Sequence, residues 1–257
     1  MDAAAEFLLN QTTADGGSIR VWQHANLRYL DFADGLLQSA IDLQNPNILP
    51  LSLNRAMLAG VIFSASIKRV LLVGTGGGAI ARFLAQRFPE IYGEAVEISA
   101  EIAEIARHYF QFPASWPIYI EDIRHFISGS QPVYDLIVLD IAMDQKTPDW
   151  ILQSQFMQQC RARLTTNGHL AINLLVDDAE GFLAAMRTIR QVFDMRTVCL
   201  SLENHRNIVV FGFNGVPDFL PPIADQRMQL LTQRWSIELD QFYQYMQKEN
   251  PAGSGIF

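Results

Sequence analysis

Gly74, Gly76 and Gly78 sit close together in "VLLVGTGGGAIARFLAQRF", between an apolar run and a stretch of helical period. A turn without side chains lets a ligand approach the backbone, and the first N–H groups of the following helix are free to donate to it. Glu97 closes the next apolar run, where a carboxylate can accept both hydroxyl protons of a ribose. Asp122, in "YIEDIRHFI", follows the third run, where a carboxylate can accept from an adenine amino group. The plainer alternative is a tight turn with surface acids nearby. "GTGGGA" also fits the dinucleotide pattern G-x-G-x-x-A, which keeps NAD as a candidate ligand. An adenosyl-sulfonium ligand is favoured by the position of Asp122 and by the β-like segment that precedes the glycine-bearing unit.

The elements that must position these residues follow from periodicity. "SIRVWQHANLRYLDFADGLLQSAID" reads as short strands broken at "HAN" and at the hairpin signal Asp34-Gly35. "LPLSLNRAMLAGVIF" reads as a helix, with Ser52 as its expected cap. From Val70 strands and helices alternate: "RVLLVG", "GAIARFLAQRF", "YGEAVEI", "SAEIAEIARHYF" opened by Ser99, "WPIYIED", "IRHFISG", "YDLIVLD", "ILQSQFMQQCRARL", "GHLAINLL" and "EGFLAAMRTIRQVF". "RTVCLSL" and "NIVVFGFN" then form a hairpin-like end. Such alternation implies an α/β fold with a doubly wound, mostly parallel sheet. A helical stretch, "DQRMQLLTQRWSIELDQFYQYMQ", precedes a loose tail, "ENPAGSGIF". Its aromatic residues have the spacing of a packing face, against the sheet or a second subunit.

The 257 residues are 49% hydrophobic and 18% charged, with a net charge of -8. That composition supports one sizeable α/β domain with an accessory piece and excludes disorder. No apolar run is long enough to span a bilayer, and the acidic start lacks a signal-peptide n-region, so a cytoplasmic protein is expected. No clustered basic face is present to suit nucleic acid. Cys160 and Cys199 match no metal spacing and read as buried free thiols. His108 and His125 fall on helical patterns, and His24, His169 and His205 in turn-like places. No pair has metal-ligand spacing, so no metal is expected.

Over residues 19–213 the sequence resembles the spermidine synthase family of aminopropyltransferases. "RVLLVGTGGGAIAR" resembles "VLIIGGGDGGVLRE", and "LRYLDFADGLLQSAID" resembles a segment ending in "LDG-x-x-Q". "EAVEIS" resembles "VEID", "IEDIRHFI" resembles "GDGREFL", and "YDLIVLDIAMDQ" resembles "YDVIIVDSSDP". "ILQSQFMQQCRARLTTNGHLAIN" resembles "LFTxEFYxxxxxxLxPGGxxxxQ". The resemblance implies a seven-stranded Rossmann-like sheet of the class I methyltransferase type, with a small N-terminal β-piece. It also implies that Gln38, Gly74, Gly76, Gly78, Glu97 and Asp122 surround S-adenosylmethionine or its decarboxylated form. Their neighbours Thr75, Gly77, Ile98 and Ile123 complete the expected cofactor-binding set. Asp140 falls on the family's catalytic-loop aspartate, which deprotonates or orients an attacking amine.

The departures concentrate on the acceptor side. Gly77 replaces the aspartate that holds the cationic end of decarboxylated S-adenosylmethionine, which favours the intact, carboxylate-bearing form. "YHEM" becomes "NRAM", Asn54 to Met57, placing Arg55 near the expected diamine site. Asp144 is shifted relative to the second aspartate of "DSSDP", and "YYGG" becomes "ENHR", Glu203 to Arg206. A desolvated dication needs paired carboxylates. The expectation is therefore an S-adenosyl-dependent alkyltransferase, aminopropyl or methyl, whose small-molecule acceptor, an amine among the candidates, is not putrescine. A non-catalytic S-adenosyl-binding protein is the alternative, and an NAD-binding protein a weaker one. Residues 1–60 are expected to form the β-strand piece and linking helix and 61–257 the cofactor-binding domain with its helical tail, and a homodimer is a candidate assembly.

Overall fold

A four-stranded antiparallel sheet precedes a seven-stranded mixed sheet in the computed structural model. The structure describes residues 5–12, 17–32, 37–64, 66–129, 132–143, 146–203, 205–217 and 225–257. The small sheet runs in chain order through β1 (Glu6–Thr12), β2 (Ser18–His24), β3 (Leu27–Asp31) and β4 (Leu37–Asp42). The break expected at "HAN" is the β2–β3 turn, where Ala25 takes φ 52; Asp34-Gly35 lies outside the described residues. β1 had no counterpart in the periodicity, because its side chains are mostly exposed and form no alternating pattern.

The chain then enters α1 (Ser52–Met57) and a 3₁₀ turn over Ala59–Phe63. Ser52 does not cap this helix. Leu51 occupies the N-cap without a side-chain bond, and the Ser52 hydroxyl instead meets His205 Nε2 at 3.1 Å. The large sheet follows as β5 (Arg69–Val73), β6 (Tyr92–Glu97), β7 (Ile118–Ile120), β8 (Tyr134–Leu139), β9 (Leu164–Leu174), β10 (Thr197–Ser201) and β11 (Ile208–Phe213). Its spatial order is β10-β11-β9-β8-β5-β6-β7. β5, β6, β7, β8 and β9 pair in parallel, whereas β11 inserts antiparallel between β9 and β10. This is the doubly wound Rossmann-like arrangement, with helices α2 (Ala79–Arg87), α3 (Ala100–Tyr109), α4 (Ile123–Ser128), α5 (Ser154–Ala162) and α6 (Ala179–Val192) joining the strands.

The alternate residues of β5 explain why its sequence is continuously apolar. Val70 and Leu72 enter one core cluster, Leu71 and Val73 the other, so the strand is covered on both faces. The first cluster also takes Ala56 to Phe63 and the aromatic residues Trp235, Phe242 and Tyr243 of the C-terminal region. That region is two helices, α7 (Asp225–Trp235) and α8 (Leu239–Glu249), separated where Ser236 takes φ 51. A third, smaller cluster joins Ile19, Val21, Leu30 and Ile41 of the small sheet to Ile102, Ile105 and Phe110 at α3. Among the described residues, no helix is long and apolar enough to cross a membrane.

His169 is a core residue rather than a turn residue. It sits in β9 with no exposed surface, its Nδ1 3.1 Å from Ser64 Oγ. Cys160 and Cys199 are buried free thiols, as their isolation in the sequence implied. Burial pushes both thiols up, Cys199 to about 11.

Candidate functional site

The glycine turn is built at the carboxyl end of β5 and is tied to both neighbouring strands. The Gly74 N–H donates to Val96 O on β6 at 3.0 Å, and the Asp140 N–H donates to Val73 O at 2.9 Å. Gly74, at φ +82, lies so close to β8 that a Cβ there would fall 2.3 Å from the Asp140 carbonyl oxygen. Only glycine meets both demands, a left-handed backbone and this approach. Gly76 and Gly78 also have positive φ, and Gly78 is the N-cap of α2.

Glu97, buried at the end of β6, is locked to the turn. One carboxylate oxygen accepts from the Thr75 N–H at 2.8 Å and from its hydroxyl at 2.9 Å; the other accepts from the Ser99 N–H at 3.0 Å. Ser99 caps α3 as its position implied, accepting from Ile102 N. An ionised carboxylate has about four lone-pair sites, and with these three bonds made, acceptor capacity remains for one ribose hydroxyl. Beside it, Ile98 is 73% exposed, an apolar surface at the mouth of the site. A buried carboxylate next to an exposed apolar residue suits an adenosine, with its ribose hydroxyls and flat ring. Gln38 belongs to the same locality: its carbonyl oxygen lies 3.6 Å from the Cβ position of Gly76.

Three expected site residues are placed differently from their simplest reading. Asp122 caps α4 by accepting from the Arg124 N–H at 2.8 Å, and both its oxygens are bonded by the Arg124 guanidinium. Those bonds hold its carboxyl below the usual carboxylate range. Arg124 also lies over the Trp150 ring, 5.0 Å from its centroid. An adenine amino group would share Asp122 with Arg124. The Ile123 side chain is in the core beneath the sheet, packed with Val96 and Phe126, so only its backbone can face a ligand. A Cβ on Gly77 would lie 2.6 Å from Ser39 Oγ and 2.9 Å from Phe110 Cγ. The missing aspartate is thus matched by missing space, and charge alone does not account for this glycine.

Arg82, on a helical stretch with no motif to single it out, holds the walls of this turn. It is completely buried in α2 and donates to the carbonyls of Pro46 at 3.0 Å, Phe110 at 2.8 Å and Ala40 at 3.4 Å. Burial lowers its pKa to about 10, which leaves it charged at neutral pH. Two of these carbonyls belong to Phe110 and to Ala40, the neighbour of Ser39, and Ser39 and Phe110 are the residues against which Gly77 lies.

On the opposite side of the turn stands Asp140, whose pKa is raised by burial against the opposing effect of a bond from Asn173 Nδ2 at 2.9 Å. Asn173 Oδ1 accepts from Asn207 Nδ2 at 2.8 Å. Asn173 closes the motif "GHLAIN", where the resembling pattern has glutamine, so its type and place were a usable signal. Asn207 had none. The loop after Asp140 folds back through the buried Thr147, which bonds Leu175 and the Asn173 carbonyl. Lys146 on this loop ion-pairs with Asp177, which Arg206 also approaches at 3.8 Å; Asp144 lies outside the described residues.

Arg55 is not a free charge at this site. Its Nε donates to both Glu238 oxygens at 2.8 and 3.0 Å, and its Nη1 to the Leu49 and Pro50 carbonyls, anchoring α1 to the segment before α8. Among the described residues, no three His, Cys, Asp or Glu side chains group as metal ligands would.

No family model matches the chain. It is 25% identical over 241 residues to a polyamine aminopropyltransferase of Chromobacterium violaceum, an alignment that covers 92% of each protein. The chain is a divergent, spermidine synthase-like protein. Solved structures share its fold. A probable spermidine synthase from Corynebacterium glutamicum superimposes with a TM-score of 0.73 at 21% identity, covering 90% of this chain and 87% of the other. Human methyltransferase-like protein 13, in complex with SAH, does so with a TM-score of 0.62 at 23% identity, covering 74% and 93%. This spermidine synthase-like chain has the glycine turn, Glu97 and Asp140, while "NRAM" and "ENHR" stand where the resembling sequences have "YHEM" and "YYGG".

Proposed function

We propose that the chain is a transferase that binds S-adenosylmethionine or its decarboxylated form and alkylates a small amine other than putrescine. The observation that carries this reading is that Glu97 and Asp140 flank one glycine turn, the first bonded to Thr75 and the second abutting Gly74. Glu97 would accept from a ribose hydroxyl, Ile98 would cover the adenine, and Gln38 would close the side formed by β4. The bound S-adenosyl ligand supplies an electrophilic carbon on sulfur and a thioether leaving group. Asp140 would accept the proton that the amine nitrogen loses as its new C–N bond forms. Its raised pKa suits that task, because a base poised nearer neutrality transfers protons more effectively than an ordinary carboxylate. Alignment of the amine is the other contribution expected of the protein.

The similarity to a polyamine aminopropyltransferase supports the ligand class and aminopropyl transfer, and the likeness to an SAH-bound methyltransferase supports methyl transfer as the alternative. Calorimetric titration with S-adenosylmethionine, its decarboxylated form, methylthioadenosine and NAD tests the reading directly. Binding of at least one S-adenosyl ligand in preference to NAD is expected; binding of NAD alone overturns it. Purified protein is expected to make little or no spermidine from putrescine and decarboxylated S-adenosylmethionine, and robust formation would refute the acceptor assignment. The lost acids of the acceptor half favour one second reading, a binding protein without turnover. Release of methylthioadenosine or S-adenosylhomocysteine with any amine in a panel would exclude it.

A further inference from the structure

The hydrogen-bond chain behind Asp140 has a direction. Asn207 Nδ2 donates to Asn173 Oδ1 at 2.8 Å, and Asn173 Nδ2 donates to Asp140 Oδ1 at 2.9 Å. A primary amide donates at one end and accepts at the other, so the partner on its far side decides which end faces a carboxyl group. An NH2 directed at Asp140 favours the ionised carboxylate; an amide oxygen there would favour the protonated acid. The backbone of Asn173 cannot drift to relieve a mismatch, because Thr147 Oγ1 bonds its carbonyl and β11 pairs it with Val209.

We propose that Asn207 is a positioning residue that holds the Asn173 amide with its NH2 toward Asp140, keeping that carboxylate ready to take a proton from the acceptor amine. The proposal rests on Asp140 being the base, as argued above. Burial works against ionisation of Asp140, and the Asn173 bond is the opposing influence. Charged groups on the surrounding connections do not replace it. Lys146, on the loop after β8, pairs with Asp177 between β9 and α6, and Arg206, between β10 and β11, approaches the same Asp177. Asp178 caps α6. Asp149 shares the Lys146 loop, and Glu203 and His205 share the Arg206 connection. Among the described residues, the Asp140 carboxylate takes its side-chain hydrogen bond from Asn173.

The test is the titration midpoint of the Asp140 carboxyl carbon by NMR in the intact protein, assigned by its loss in Asp140→Asn. In Asn207→Asp the new carboxylate can only accept, so it draws the amide NH2 to itself and leaves the amide oxygen for Asp140. The midpoint is expected to rise by about one unit, a tenfold change in the proton equilibrium. The added charge also acts through space, so the same substitution is made in an Asn173→Leu background, where no amide can turn; a clearly smaller rise is expected there. Equal rises in the two backgrounds overturn the proposal. Asn207→Leu removes the donor without adding charge and guards against a misfolded aspartate variant: its midpoint is also expected to rise, and an unchanged midpoint overturns the proposal. None of these readouts needs turnover. Where turnover is found, a pH–rate limb that follows the NMR midpoint is expected. A limb that stays fixed while the midpoint moves would remove Asp140 as the base and leave the amide orientation standing.

Discussion

Glu97 accepts from the Thr75 N–H, the Thr75 hydroxyl and the Ser99 N–H, so removing it disturbs both the turn and the proposed ribose contact. Hydrogen bonds to a charged group contribute roughly 1.5–3 kcal/mol. Glu97→Ala is therefore expected to weaken methylthioadenosine binding about tenfold to a hundredfold by calorimetry, and unchanged affinity would sink the assignment. His169 gives a prediction about stability. Burial lowers its folded pKa to about 4 from an ordinary 6.5, so the ring is neutral in the native core. As pH falls from 6.5 toward 4, the unfolded chain gains a proton that the folded chain refuses. Stability is thus full above 6.5 and falls through that window, by roughly 3 kcal/mol in all. Urea unfolding at a series of pH values should show a shallower acid loss in His169→Leu; an identical slope would mean the imidazole charges in the folded state. Glu97 and the glycines were legible because their chemistry depends on type and spacing along one βα unit. Asn207 and Arg82 were not, because each works through carbonyls or amides brought from distant segments.

At the scale of elements, α3 ends between two arginines: Arg28 of β3 donates to the Tyr109 carbonyl at 2.7 Å, and Arg82 of α2 to the Phe110 carbonyl. Cations at a helix C-terminus satisfy its last carbonyls and oppose its dipole. Their effect is to seat the small sheet and the end of α3 against the glycine turn. Ser39 and Phe110 then leave Gly77 no room for a side chain. A sequence reading sees the residue that is missing and infers a charge lost for the ligand; it cannot see a strand and a helix end closing on the same loop. Gly77→Asp and Gly77→Asn are both expected to weaken S-adenosylmethionine, its decarboxylated form and methylthioadenosine alike, with a lower Tm for each variant. Overpacking of this kind costs about 1–3 kcal/mol. Calorimetry that found Asp, and not Asn, selectively disfavouring intact S-adenosylmethionine would restore the charge explanation.

Over the whole molecule, the alternation of strands and helices made the large sheet legible, and the same rules failed at the C-terminus. "ENPAGSGIF" is rich in the residues of loose segments, yet it closes one edge of the sheet. The buried side chain of Asn250 accepts from the Cys199 N–H at 2.9 Å and donates to the Cys199 carbonyl at 2.7 Å, pairing with an edge strand as a neighbouring strand would. Ile256 N bonds Thr197 O at 3.3 Å, and Phe257 meets Phe63 with ring centroids 6.0 Å apart. A single amide and a terminal ring have no periodicity, so composition outvoted them. Asn250→Ala leaves both Cys199 groups buried without partners, at about 1–3 kcal/mol each when fully dry. Partial access of water would reduce that, so a loss of about 2–4 kcal/mol is expected. For a chain of this size it corresponds to a Tm lower by roughly 4–16 °C. Deleting residues 250–257 should cost more and, by uncovering β10, promote association between copies at its edge. In either variant methylthioadenosine affinity at 25 °C should match that of the parent, since the glycine turn and Glu97 are untouched. A lowered affinity with an unchanged Tm would mean that the tail acts on the ligand site and not on the sheet edge.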